Sequence, residues 1–408
     1  MGPIASTGLK PGRDADWKAP SAPSPMEALL TLISSGNVLS FALGLPASEL
    51  FPRELVSEAA TRVLESNQAL QYGSPQARLK EHIAGMMSDR GYPCSPDRIL
   101  VTTGAQQALA LIVRLLLGEG GSVVTEELVY PTFIQVLKPY KASFMTVPSD
   151  LRTGIDVEAL EERLAQGVHG AFLYAIADGH NPLGVSISPS KRRRLAQIAR
   201  QYRLPVIEDD AYGFLCYDGK REPPLSAYDP DGMFYVGSFS KILGPSLRVG
   251  WLVVPERFLR ILSTLKEAAD INTASLSQRI VCECLERMDL GAHISGLVEE
   301  YRRRRDCMLD AIRRHFPPGT TCITPSCGFF VWASLNVDID TQALCMRAIE
   351  EERIAFVPGA SFAVGEHAVA RSCLRLNFSN CSPAKIEDGI KRLGSVTMRM
   401  LQSSRRSE

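Results

Sequence analysis

The chain has 408 residues, too many for one compact domain and enough for a large buried core with a smaller satellite. Its 45% hydrophobic and 22% charged residues exclude wholesale disorder. With 45 basic against 45 acidic side chains, no global charge draws it to duplex nucleic acid or an anionic membrane, so a small-molecule partner is expected.

The first 25 residues hold Pro3, Pro11, Pro20, Pro23 and Pro25 and read as a mobile arm without the apolar stretch of a secretory signal. MEALLTLISSG then predicts a short helix, with Leu29, Leu30, Leu32 and Ile33 near one face and Gly36 placed to end it. From about Phe51 to about Leu290, helical segments alternate with short apolar runs at 99–103, 122–125, 171–176, 205–210, 233–238 and 248–254. These runs are near-continuously apolar, as in strands buried on both faces, so the expected fold class is α/β: a three-layer sandwich around a mostly parallel sheet. The longest apolar stretch is broken by Arg114, so no membrane span is expected. Ten cysteines without C-x-x-C spacing read as reduced core residues of a cytoplasmic protein, and no metal site is expected.

After about residue 290 a charged helix, SGLVEEYRRRRDCMLDAIRRHF, leads to the strand group GFFVWASL, IAFVPG and CLRLNFS, a second and smaller α/β domain. Arg302 to Arg305 cannot form one stripe on a helix, and they read as a solvated face. The expected organisation is an arm over 1–25, part of the small domain over 26–50, a large domain over 51–290 and the rest of the small domain over 291–408.

Four segments carry candidate chemistry. In ILVTTGAQQALALIVRLLL a strand turns into a helix at Gly104, Ala105 and Gln106, and unpaired amides at a helix N-terminus attract phosphate; the same joint is also an ordinary structural turn. HNPLG sets an Asn-Pro turn at Asn181. PVIEDDAYG ends a buried strand on acids, with Asp209 and Tyr212 at the sheet edge where α/β proteins place ligands. GSFSKILGPSLRVGW follows Ser238 and Ser240 with Lys241, a candidate amine nucleophile, and then Arg248, a permanent cation for phosphate.

Singly these motifs are ambiguous, but their order, continued to Arg375, resembles the fold-type I pyridoxal-phosphate enzymes, and within them the class I/II aminotransferases. The branch it is most similar to holds the 2-aminoadipate and kynurenine aminotransferases. The resemblance runs from about Met26 to Leu401 through FALGLPASELFP, LQYGSPQARLKEHIA, TTGAQQAL, EELVYPTF, HNPLGVSIS, IEDDAYG, GSFSKILGPSLRVGW, FVPG and LRLNFS.

The resemblance implies pyridoxal 5'-phosphate as cofactor, an electron sink whose ring nitrogen is kept protonated by Asp209. Lys241 would form the Schiff base and move the substrate proton. Asn181 and Tyr212 would bond the phenolic oxygen and Tyr130 would stack on the ring. The phosphate would be held by Gly104, Ala105, Gln106, Ser238, Ser240 and Arg248, with Tyr72 reaching it from a second subunit of a homodimer. Arg375 would clamp the substrate carboxylate beside Gly44 and Asn181. The implied reaction moves an amino group between an L-amino acid and a 2-oxo acid through pyridoxamine phosphate. The alternative is a biosynthetic enzyme turning the same cofactor chemistry to β- or γ-replacement, cyclisation, decarboxylation or oxidative deamination. A regulatory module behind a DNA-binding domain is not expected, because so few residues precede the first helix. Leu43, Ala105, Gly179, Leu183 and Cys327 depart from the usual family pattern.

Overall fold

The computed structural model describes residues 38–219, 221–365 and 368–404. The arm over 1–25 and the helix expected over 26–36 lie outside them.

The larger of two main sheets has seven strands: β1 (Ile99–Thr102), β2 (Ser122–Glu126), β3 (Ser143–Val147), β4 (Leu173–Ala175), β5 (Val206–Asp210), β6 (Met233–Ser238) and β7 (Gly250–Val253). Across the sheet they run β1-β7-β6-β5-β4-β2-β3. From β6 to β3 every pair is parallel, while β7 lies antiparallel between β1 and β6. The six expected apolar runs form strands to within two residues of their expected ends. The unforeseen strand is β3. It lies at the sheet edge with Ser143 exposed and only Met145 and Val147 buried, so it lacks the continuous apolar signal of its neighbours.

Helices cover both faces of this sheet. Helix α1 (Gly104–Leu116) buries Leu109, Ile112 and Val113 against Tyr174, Ile207, Phe234 and Leu252. On the opposite face α2 (Pro189–Gln201) buries Leu195 and Ile198 against Leu173, Val206 and Met233. Successive strand residues face opposite sides, so β5 sends Asp209 to the α1 side with Ile207. Glu208 and Asp210 go to the other side with Val206.

The second sheet is antiparallel: β8 (Thr321–Cys322), β9 (Phe330–Ser334), β10 (Val357–Pro358) and β11 (Cys373–Asn377), in the order β8-β9-β11-β10. Helices α3 (Leu290–His315) and α4 (Pro383–Ser404) pack beside it, and Met308, Ile312, Ile386, Ile390 and Leu393 share its core. Leu39–Ser40 pairs in parallel with Ile354–Ala355, which brings the start of the described chain against this C-terminal sheet.

Two expectations need correction. Arg304 and Arg305 are buried instead of solvated. Arg304 donates to Glu300 (2.7 Å), Glu49 (2.8 Å) and the Ser379 carbonyl (2.6 Å), while Arg305 donates to Asp218 (2.6 Å) and the Pro325 carbonyl (2.9 Å). Consecutive helical positions point about 100° apart, so on a helix packed from several sides a run of four must turn some members inward. The cysteines are not all reduced either: Cys216 and Cys327, 111 residues apart, form a disulfide where two backbone segments meet in an isolated antiparallel bridge. Local spacing carries no signal for such a pair. Among the described residues no helix is long and apolar enough to cross a membrane.

Candidate active site

A cleft of about 330 Å³ opens at the C-terminal ends of β4, β5 and β6, where an open α/β sheet leaves room for a ligand. Asn181, Asp209, Tyr212, Ser238, Ser240, Lys241, Arg248 and Arg375 line it together with Gly44, Ala105, Gln106 and Tyr130. Thus nearly all the residues singled out in the sequence converge on one hollow. Tyr72 does not: it is 84% exposed and lies in a separate surface hollow beside Gly73 and Asn272.

One end of the cleft is built for an anion. Helix α1 starts at Gly104 and presents the amides of its first turn, with the positive end of the helix dipole behind them. The Ser238 hydroxyl donates to Ser240 Oγ (2.9 Å) and accepts from the Ser240 amide (3.1 Å), which holds both hydroxyls at the end of β6. Arg248 reaches back to the Thr103 carbonyl (3.3 Å) and lies against Gly104. Gly104 has φ +72°, a left-handed backbone that favours glycine, and a Cβ there would stand 2.5 Å from Arg248 Nη2 and push the end of that side chain aside.

Asp209 stands in the middle. Tyr174 on the neighbouring strand donates to its Oδ2 at 2.7 Å, while Oδ1 is buried without a partner. Burial raises the carboxyl to about 6 against the Tyr174 hydrogen bond, which pulls the other way. An ionised carboxylate with one oxygen unmet in a dry site calls for a cationic N–H donor. The protonated ring nitrogen of a pyridine fits that need. Lys241 Nζ donates to the Gly44 carbonyl at 2.7 Å and sits 5.9 Å from the Tyr212 ring centre. Burial and the Arg375 charge lower its ammonium to about 8, with Asp209 opposing. A lysine so tuned supplies free amine near neutral pH.

At the other end Arg375, on β11, is buried between Phe330 and Phe362, its guanidinium carbon 4.1 and 4.8 Å from their ring centres. It donates to Asn181 Oδ1 (2.7 Å) and to the Ala42 carbonyl. Burial lowers it to about 10, which leaves it cationic at neutral pH. Its Nε is buried without a partner, so it retains donors for a carboxylate. The bond to Oδ1 also orients the Asn181 amide, leaving its NH2 as the donor. Tyr212 packs edge-on against Phe329 and Phe330, and burial raises its phenol, keeping the hydroxyl protonated.

Tyr174, Phe330 and Phe362 were missed in the sequence. For Tyr174 a signal existed, since a tyrosine inside a strand buried on both faces must bring its hydroxyl to a partner. Two groups of metal-type side chains also occur among the described residues. One contains the disulfide cysteines with Asp178, which Arg90 and Arg192 engage; in the other, Arg78 occupies Glu286 beside His82 and Cys282.

Fold and cleft together are those of a pyridoxal-phosphate enzyme. The family described as aminotransferase class I and II matches residues 37–393. The chain is 38% identical over 383 residues to an aromatic-amino-acid aminotransferase of Thermococcus litoralis, covering 91% of each protein. It is similar to the kynurenine aminotransferase of Pyrococcus horikoshii, whose crystal structure contains pyridoxamine phosphate (33% identity, TM-score 0.86, 94% of this chain and 96% of that one). It is also similar to the alpha-aminoadipate aminotransferase of Thermus thermophilus, solved with N-(5'-phosphopyridoxyl)-L-leucine (35% identity, TM-score 0.86, 93% and 95% covered). The chain belongs to the class I and II aminotransferases. It is a pyridoxal-phosphate-dependent transferase that moves amino groups between amino acids and 2-oxo acids.

Proposed function

We propose that Lys241 is the residue to which the cofactor attaches and the group that then carries the proton during amino-group transfer. The unmet Oδ1 of Asp209, in one cleft with a guanidinium and an amine of lowered basicity, is the observation that carries this reading. When bound, pyridoxal phosphate supplies an electron sink for the pair left at the substrate Cα. Asp209 holds the proton on its ring nitrogen, and the NH2 of Asn181 and the hydroxyl of Tyr212 donate to its phenolic oxygen. Tyr130 covers the ring. The amides of Gly104, Ala105 and Gln106, the hydroxyls of Ser238 and Ser240 and the Arg248 guanidinium bind the phosphate.

Arg375 orients the α-carboxylate of an L-amino acid or a 2-oxo acid beside Gly44 and Asn181, which places Cα within reach of Lys241. Truncating it to Arg375→Ala should raise the KM of the amino acid about 10–100-fold while cofactor content stays near the parent's, and Arg375→Lys should not restore it, because a point charge lacks the two-pronged geometry. Loss of cofactor with unchanged KM would remove the assignment.

The working unit is a homodimer in the cytoplasm, with Tyr72 of one copy completing the phosphate site of the other. Exposure of Leu70, Tyr72 and Ile271, at 81%, 84% and 66%, supports a surface that another copy covers. Residues 51–290 form the cofactor domain, and the segments on either side join in the smaller one. The reaction is tested by giving the cofactor-loaded enzyme single amino acids, aromatic ones, 2-aminoadipate and kynurenine among them, without an acceptor. One equivalent of pyridoxamine phosphate should accumulate per site and return to the starting form when a 2-oxo acid is added. Continued turnover without it would point to replacement or decarboxylation chemistry.

A further inference from the structure

Behind the cleft, on the face of β5 opposite Asp209, a buried ionic network remains without a role in the chemistry above. Arg90, which ends the helix Ala77–Asp89, is 3% exposed and donates through Nη1 to Asp210 Oδ2 and to the Tyr235 hydroxyl (3.1 Å). Through Nη2 it donates to Asp178 Oδ2 at 3.1 Å. Its guanidinium carbon lies 5.0 Å from the Phe214 ring centre. Each carboxylate is anchored again. Asp210 accepts from the Tyr235 hydroxyl (2.8 Å) and from the Gly213 amide (2.6 Å), and Asp178 accepts from Arg192 Nη2 (2.5 Å) and Nη1 (3.2 Å).

What these two acids hold is informative. Asp210 bonds the backbone of Gly213 and so closes the turn that carries Tyr212. Asp178 opens the loop that carries Asn181, at whose start Gly179 (φ +61°) lies so close to Cys327 that a Cβ would come within 2.9 Å of its carbonyl carbon. Asn181 in turn accepts from Arg375. We infer that Arg90 is a positioning residue that joins the Tyr212 turn to the Asn181 loop, fixing together the two donors to the cofactor's phenolic oxygen and, through Asn181, the substrate-binding arginine. This rests on the roles proposed above for Asn181 and Tyr212. Arginine is required because two carboxylates on separate segments must be met by one planar fork. Lysine offers a single point.

The test uses the cofactor-loaded enzyme and reads the pH at which its visible absorption changes. Donors at the phenolic oxygen stabilise its negative charge, and an oxygen relieved of them holds the neighbouring proton of the cofactor–lysine linkage more tightly. Asn181→Ala should therefore raise the midpoint by about one pH unit. Arg90→Lys, which keeps the buried charge, should raise it in the same direction and lower kcat about tenfold, with cofactor affinity changed by a smaller factor. The double variant should move further than Asn181→Ala alone but by less than the sum of the two single shifts, because Arg90 acts partly through that amide and partly through the Tyr212 hydroxyl. Tyr235→Phe, which removes one hydroxyl from Asp210 and leaves the charges in place, should give a smaller change of the same sign, and it decides the matter if Arg90→Lys does not fold. An unchanged midpoint in Asn181→Ala would overturn the role of Asn181 and the inference with it. A normal rise there, with unchanged midpoints in Arg90→Lys and Tyr235→Phe or with additive effects in the double variant, would overturn the role of Arg90 alone.

Discussion

Replacing Lys241 with alanine should abolish covalent cofactor attachment and lower transamination on the order of 10³-fold or more, since one amine serves as anchor and as proton carrier. The remaining anion site and Asp209 should still bind the cofactor loosely, so dialysis will strip the variant and leave the parent yellow. Borohydride treatment followed by mass spectrometry is the direct check: an adduct persisting in Lys241→Ala would sink the assignment. The site also predicts a pH dependence. An ordinary lysine near 10.5 is free amine in roughly one molecule per thousand at pH 7.5, whereas one lowered to about 8 is free in about one of four. Reconstitution of the cofactor-free enzyme should thus speed up with pH and approach its plateau above about 8. The stability sign follows from the same lowering. Between about 8 and 10.5 the unfolded chain holds more protons at this lysine than the folded one, so its destabilising contribution is full below 8 and relieved as pH rises through that window. In Lys241→Ala this contribution should be absent.

The residues bearing these predictions were legible in the sequence for a local reason. Each of TTGAQQAL, HNPLG, IEDDAYG and GSFSKILGPSLRVGW is a strand end and the turn after it, so type, order and backbone setting are all written in one short segment. The strands behind them were legible because β5 and β6 are buried on both faces and read as unbroken apolar runs. What stayed hidden is non-local. No window of the chain contains both Tyr174 and the Asp209 oxygen it binds, or both Arg90 and its two acids, or both halves of the Cys216–Cys327 disulfide. Arg304 and Arg305 were misread because charge alone indicates solvent, and only the packed surroundings of α3 show that Glu49 and Asp218 await them. The acids of IEDD show both sides of this. Their presence at a strand end was plain, but it takes the two-residue alternation of β5, seen against helices on both faces, to send Asp209 to the cofactor and Asp210 to Arg90.

Asp209→Asn should separate charge from shape at the centre of the site. Asparagine keeps the volume and can still meet the Tyr174 hydroxyl, but it cannot hold a proton on a ring nitrogen by opposite charge. We expect kcat to fall on the order of 10²–10³-fold, the scale of removing one preorganised electrostatic partner from a dry site. Without cofactor the same substitution should stabilise. Burial raises the Asp209 carboxyl from 3.8 to about 6, so the folded chain binds the extra proton between these values and loses stability relative to the unfolded chain as pH rises through them. The cost is complete above about 6 and amounts to about 3 kcal/mol, because a tenfold change in proton affinity is worth about 1.4 kcal/mol. Asparagine does not bear it. Thermal unfolding of the cofactor-free proteins should therefore show Asp209→Asn above the parent at pH 7.5, with the two converging as pH falls to about 4 and below, where the parent carboxyl becomes protonated in the unfolded state as well. Adding pyridoxal phosphate should reverse the order at pH 7.5, since the cation it brings completes the parent's carboxylate and gains nothing from the amide. A variant that is less stable than the parent without cofactor, or that gains as much from cofactor as the parent does, would show that the unmet Oδ1 is not reserved for the ring nitrogen.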